Sequence, residues 1–169
     1  MLGDTFGRVL RIVKEWTPKK EYRKESGYRD DLIAHIRKEL KRGGFLGVPE
    51  RHRIRKESGR HLADIGIDEN IGIELKRNLT GQSSLDRLIG QIRRFMRSYS
   101  YIIVVLCGKT SEGILDDLRH EFSQYSGAGL LQPQTLIEIV RKETMSEREK
   151  QPKKRQPKGW VDLFEEITK

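Results

Sequence analysis

The sequence predicts an α/β domain built on a mixed β-sheet flanked by helices, and three observations carry that expectation. Short alternating segments between residues 50 and 77 read as a three-stranded meander. Residues 101–106 form a continuous apolar run, the pattern of a strand buried on both faces. Amphipathic helical stretches stand before, between and after them, so the order from residue 21 onward is helix, three strands, helix, strand, helix, strand. At 169 residues the chain has room for one such domain with extensions.

The elements follow in order. Residues 1–17 place Leu2, Phe6, Val9, Leu10, Val13 and Trp16 at helical spacing and end before Pro18. This amphipathic helix, residues 1–20 with its flank, has a basic opposite face and suits packing on its own domain better than lying on a membrane or a partner. A second helix over residues 21–40 carries the stripe Tyr28, Leu32, Ile36 and Leu40, with Gly43-Gly44 as its stop. Strands follow at 50–56, 62–67 and 71–77, with turn chemistry at Ser58-Gly59 and at Asp68-Glu69-Asn70. Ser83 or Ser84 is the expected cap of a helix reaching Tyr99, its core face made of Leu85, Leu88, Ile89, Ile92 and Met96. A helix over 111–124 and a strand over 136–140 complete a core spanning 21–142. From there to residue 169 the apolar pattern gives way to a basic linker and tail. Residues 150–158 hold five cations and no anion, and the tail ends in an apolar patch of Trp160, Val161, Leu163, Phe164 and Ile167. That patch suits docking on the domain itself or on a protein partner.

Composition narrows the class. Thirty-four Lys and Arg against 25 Asp and Glu give a formal charge of +9, which favours a polyanionic partner, most simply nucleic acid. Arg51, Arg53, Arg55 and Lys56 crowd the first strand, and Arg87 and Arg94 share the helix before residue 99. The longest apolar run, 101–107, is too short to cross a bilayer, and no secretion signal pattern opens the chain, so no membrane association is expected. Cys107 is the single cysteine, which excludes an internal disulfide and a multi-cysteine zinc site; a reduced, cytoplasmic setting is the expectation.

The chemistry concentrates in residues 63–77. Alternation puts Ala63, Ile65 and Ile67 on one face of the first hairpin strand and Asp64 and Gly66 on the other. On the second strand Ile71, Ile73 and Leu75 oppose Gly72, Glu74 and Lys76. A three-residue loop, Asp68-Glu69-Asn70, pairs Ile67 with Ile71, Ile65 with Ile73 and Asp64 with Glu74, whereas a two-residue loop would set an apolar face against a polar one. The buried face selects the first register. Asn70 suits the left-handed position of such a loop. Opposed carboxylates destabilise a hairpin, and a divalent cation between them turns the repulsion into a site of hard oxygen donors suited to Mg²⁺. Gly66 and Gly72 would leave that face open to close approach. A bare Glu-x-Lys is common on surfaces. The combination of carboxylate, tight hairpin, Glu-x-Lys and a following helix and buried strand is not.

Asp64 followed by Glu74-Leu75-Lys76 on the next strand resembles the signature of the PD-(D/E)XK nuclease superfamily, and the element order resembles that family's core from residue 21 to 140. The hairpin is most similar to restriction-endonuclease-like and archaeal resolvase-like members, with Ala63 where the family name implies proline. The resemblance implies a restriction-endonuclease-like fold and a metal-dependent endonuclease hydrolysing phosphodiester bonds in DNA. It implies Mg²⁺, with Mn²⁺ able to substitute, held by Asp64, Glu74 and the Leu75 carbonyl, with Glu25 acting on the metal directly or through water, and Lys76 positioning the attacking water. The family often adds an acid from the first core helix. Glu25 lies at helical spacing from Leu32 and Ile36, unlike Asp30 and Asp31, although a helix-capping role fits it too. Gln91, between Arg87 and Arg94, fits a glutamine some members use, and a plain surface glutamine fits equally. Many members pair, so a homodimer is a further expectation. The competing class is a non-catalytic module that binds nucleic acid or protein on the same scaffold. Gly108-Lys109-Thr110 is not a phosphate-binding loop, because the earlier glycine that motif needs is Ile103 here. His35, His52, His61 and His120 show no metal-ligand spacing.

Overall fold

The computed structural model describes residues 2–42, 51–56, 62–125 and 135–142. The expected helix stop at Gly43-Gly44, the first residue of the 50–56 strand, the Ser58-Gly59 turn, His61 and the whole 143–169 tail with its Trp160–Ile167 patch lie outside the described residues. Two helices lead, α1 (Leu2–Glu15) and α2 (Glu25–Arg42), followed by β1 (Ile54–Lys56), β2 (Ile65–Ile67) and β3 (Ile71–Leu79). Then come α3 (Gln82–Phe95), β4 (Tyr101–Thr110), α4 (Glu112–Glu121), a 3-10 turn at Ser123–Tyr125 and β5 (Leu136–Lys142). The five strands form one sheet in sequence order, β1-β2-β3-β4-β5. The first three are antiparallel, while β3, β4 and β5 are parallel, so the sheet is mixed as expected.

Helices cover both faces. On one, Phe6, Val9, Val13 and Trp16 of the α1 segment and Tyr28, Leu32, Ile36 and Leu40 of α2 pack on Ile65, Ile67, Ile71, Ile73, Leu75, Ile103 and Val105. The Phe6 ring stacks on Tyr101 at 4.6 Å. The amphipathic face of α1 is thus spent on its own domain. On the other face, Leu85, Leu88, Ile92 and Phe95 of α3 and Leu115 and Leu118 of α4 pack on Ile102, Val104, Leu106 and Ile137. Ile102 to Leu106 are all at 0% exposure, which is why this segment shows no alternation. Burying each such side chain contributes roughly 1.5–3 kcal/mol, and this strand anchors the sheet. No helix among the described residues is long and apolar enough to cross a membrane.

Several boundaries differ from expectation, each for a local reason. The β1 strand starts at Ile54 because the Asp68 carboxylate takes the ladder's place before it, accepting from the Arg53 N–H at 2.7 Å and meeting His52 Nδ1 at 2.6 Å. The hairpin loop places Asp68 and Glu69, not Asn70, at positive φ (48° and 64°), and the Asn70 N–H closes the turn on Ile67 O. Gly81, not Ser83 or Ser84, caps α3; the Ser84 hydroxyl donates to Gly81 O at 2.6 Å. The residues from Met96 to Tyr99 continue α3 as a turn rather than as helix. The β3 and β4 strands run on to Leu79 and Thr110 through a paired irregularity. Asn78 (φ 55°) accepts the Lys109 N–H at 3.0 Å, and Gly108 (φ 70°) sits where a Cβ would come within 2.5 Å of Asn78 Oδ1. Asp31, expected off the inward stripe, is buried and paired with Lys19 at 3.3 Å.

Candidate active site

The hairpin adopts the register the isoleucines demand: Ile65 opposite Ile73, Gly66 opposite Gly72 and Ile67 opposite Ile71. There the β2 ladder stops, and the chain before Ile65 bends. The bend overturns two expectations: the ladder ends at Ile65 opposite Ile73, so Asp64 is not paired opposite Glu74, and Ala63 changes face. Ala63 does not share a face with Ile65 and Ile67 but packs with Leu79 and Leu85 in the α3/α4 core, and Asp64 stands just before β2 rather than within it. Asp64 consequently reaches the edge of β3, where its Oδ2 accepts the Leu75 N–H at 2.9 Å.

Two residues on, the Arg77 N–H is taken by Glu25 Oε1 at 3.0 Å, across 52 residues of sequence. Along β3 the N–H groups of alternate residues face the same edge, so Asp64 and Glu25 stand in line where a neighbouring strand would have supplied carbonyls. The Leu75 carbonyl faces the same edge as its N–H. Glu74 projects from the other side of the pleat to Leu75 and is 4% exposed. Lys76 Nζ lies 3.4 Å from Glu74 Oε1 and 3.8 Å from Glu25 Oε2. Asp64, Glu74, Lys76, Glu25 and the Leu75 backbone are therefore brought together.

Electrostatics mark the spot. Burial pushes the Glu74 carboxyl up to about 7, and the nearby Asp64 charge pushes the same way against the opposing Lys76. Asp64 is also raised, first by burial, with the Leu75 N–H and Lys76 opposing it. Two desolvated carboxylates with one ammonium among them hold an excess of negative charge, an arrangement that favours an added cation. The donors are hard oxygens, the chemistry Mg²⁺ takes. Glu25 is already committed to the Arg77 N–H and Lys76. Among the described residues no group of three or more His, Cys, Asp or Glu side chains forms a ready-made metal cluster.

Other expected residues fall elsewhere. Gln91 sits half-buried on α3, over the sheet face towards which Glu74 points, and its Oε1 is buried without a hydrogen-bond partner. Gly72 does not leave the face open: a Cβ there would meet the Tyr99 ring at 2.7 Å, so the close approach is the chain's own. Arg53 and Arg55 reach Glu69 at 3.3 and 3.7 Å, and Lys56 reaches Asp30 at 2.8 Å. Arg51 is exposed beside them, while Arg87 and Arg94 are exposed on α3. Arg29 escaped the sequence reading. Its charge acts on Asp64, and its spacing of four from Glu25 on α2 was the available signal. No family model, curated protein or solved structure matches the chain.

Proposed function

We propose that the chain is a metal-dependent DNA nuclease of the PD-(D/E)XK type, with a restriction-endonuclease-like core. The observation that carries this reading is the gathering of Asp64, Glu74, Lys76 and Glu25 at the one stretch of β3 that the β2 ladder leaves unpaired, with Glu74 buried and raised.

In this reading Asp64, Glu74 and the Leu75 carbonyl would hold the metal. Mg²⁺, or Mn²⁺ in its place, would supply Lewis-acid polarisation of the scissile phosphate and acidify a water. Asp64 is oriented for this by the Leu75 N–H, which fixes one of its oxygens. Lys76, held between Glu74 and Glu25, places a positive charge beside the reacting phosphate and orients the attacking water. Glu25 acts through Lys76 and the Arg77 backbone. The cations of β1 and α3 track the phosphate backbone and add affinity without sequence information.

The test is cleavage of a panel of DNA structures and RNA in Mg²⁺ and Mn²⁺ by the parent, Lys76→Ala and Glu74→Ala. Lys76→Ala is expected to keep DNA and metal bound while cleavage falls by orders of magnitude. Glu74→Ala is expected to lose metal affinity and cleavage together. A parent that cleaves nothing, with both variants binding DNA as before, identifies a non-catalytic module instead. Undiminished cleavage in both variants places the chemistry away from this hairpin.

A further inference from the structure

At the opposite end of α2 from Glu25, a cleft of about 580 Å³ opens between that helix and the segment entering β1. Among the described residues its polar lining is Arg37, Lys41, Arg51, His52 and Arg53, with no acidic side chain among them. Charges near the hairpin are matched by partners: Arg53 by Glu69, Lys56 by Asp30, and Lys76 by Glu74 and Glu25. In the cleft, Arg37 donates only weakly to Ile54 O at 3.5 Å, and Arg37, Lys41 and Arg51 form no ion pair with any described residue. The carboxyl end of a helix disfavours anions. Here Arg8 donates to Leu40 O at 2.8 Å and Lys41 stands in the last turn, while Arg42 is matched by Glu39 at 3.3 Å, so Arg8 and Lys41 offset that end.

We infer that this cleft is a second phosphate-binding subsite, which grips the sugar–phosphate backbone of a nucleic acid away from the carboxylates. The β1 strand lies along α2, with Lys56 at Asp30 and Arg37 at Ile54, so its cations lead from the cleft back towards the end of α2 where Glu25 stands. Twelve helical residues separate Glu25 from Arg37, about 18 Å at the rise of an α-helix. That corresponds to about five base-pair steps of duplex. A line of separated cations suits a repeating polyanion better than one compact phosphate, which needs a convergent cradle. The choice of nucleic acid as ligand rests on the nuclease reading; the cleft and its unmatched charge do not.

The experiment is fluorescence anisotropy of a labelled DNA duplex long enough to span both regions, with the full chain in chelator and across a range of salt. Arg37→Ala/Arg51→Ala is expected to weaken binding roughly ten-fold or more and to reduce the slope of log affinity against log salt by about 1.8, the counterion release of two phosphate contacts. All three cations project from the surface, so the melting temperature should hold. If it falls, Arg51→Ala and Lys41→Ala singly should each reduce the slope by about 0.9. Unchanged affinity and slope in these variants overturn the subsite, and so does a loss confined to binding of an acidic protein. A parent that binds duplex with this salt dependence but never cleaves defeats the nuclease reading and leaves the subsite standing. A parent that cleaves, with the double variant binding and cleaving as before, does the reverse.

Discussion

On its β4 side, β3 is paired from Ile71 to Leu79; on its β2 side, pairing ends at Ile73 and side-chain carboxylates take over the backbone. The two edges of one strand thus solve the same problem differently. Every buried N–H needs an acceptor. Where a strand supplies carbonyls, the flanking side chains are free to be wholly apolar, as Ile103 and Val105 are. Where none is supplied, Asp64 and Glu25 accept in its place, and charge is drawn beside a nearly dry interior. The first edge gives stability. The second concentrates unneutralised charge at a defined point, which is costly to the fold and useful for binding a cation.

Substitutions at the two edges should therefore differ in sign as well as size. On the paired edge, Ile103→Ala removes a fully buried side chain and is expected to cost about 2–5 kcal/mol in denaturant unfolding. A loss well below that range would mean that this half of the sheet is not the anchor.

On the open edge, Glu74→Gln should stabilise the metal-free protein at neutral pH and above. The folded carboxyl, at about 7, lies above its ordinary value of 4.5, so the proton is held more tightly in the folded state. Its stabilisation is complete below the ordinary value and is lost as pH rises through about 7. By this linkage the parent in chelator should lose about 3 kcal/mol across that window. Asp64, also raised, acts in the same direction. Added Mg²⁺ should restore stability above pH 7 and do little at pH 5, and Glu74→Gln should flatten both trends, leaving only the part that Asp64 supplies. A parent whose chelated stability is flat through the window would end the case for a charge-crowded site.

Next in size is Gly72→Ala, whose methyl group would press into the Tyr99 ring and cost about 1–3 kcal/mol, an overpacking penalty. The penalty should shrink in a Tyr99→Ala background; an equal cost in both backgrounds would locate the strain elsewhere. The smallest effect expected is Glu25→Ala. Glu25 is partly exposed, so water replaces its acceptor, the cost stays below about 1 kcal/mol, and hydrogen exchange at the Arg77 amide quickens while that at Leu75 does not. Faster exchange at both amides would mean that the two carboxylates hold the edge jointly.

Much of this architecture was legible because periodicity is a local property of the chain. The stripe of Tyr28, Leu32, Ile36 and Leu40 is buried as read, and the unbroken run through Val104 marked a strand covered on both faces. The hairpin register followed from one apolar face, because a shift by one residue would turn every isoleucine in it to the opposite face of the sheet. Asp64, Glu74 and Lys76 could be singled out as candidates from the hairpin pattern together with the helix and buried strand behind it.

What spacing could not supply was the place where pairing stops. Only the folded sheet shows that β2 begins at Ile65, that Ala63 therefore turns into the α3/α4 core, and that the bend carries Asp64 onto the β3 edge. Only tertiary contact brings Glu25 to Arg77 across 52 residues, or places the Tyr99 ring over Gly72. The sequence by itself determined which faces are apolar, since that is set by residues a few positions apart. The tertiary structure decided which backbone groups are left without a strand and which distant side chains satisfy them, because an unmet N–H is defined only by what the rest of the chain fails to bring beside it.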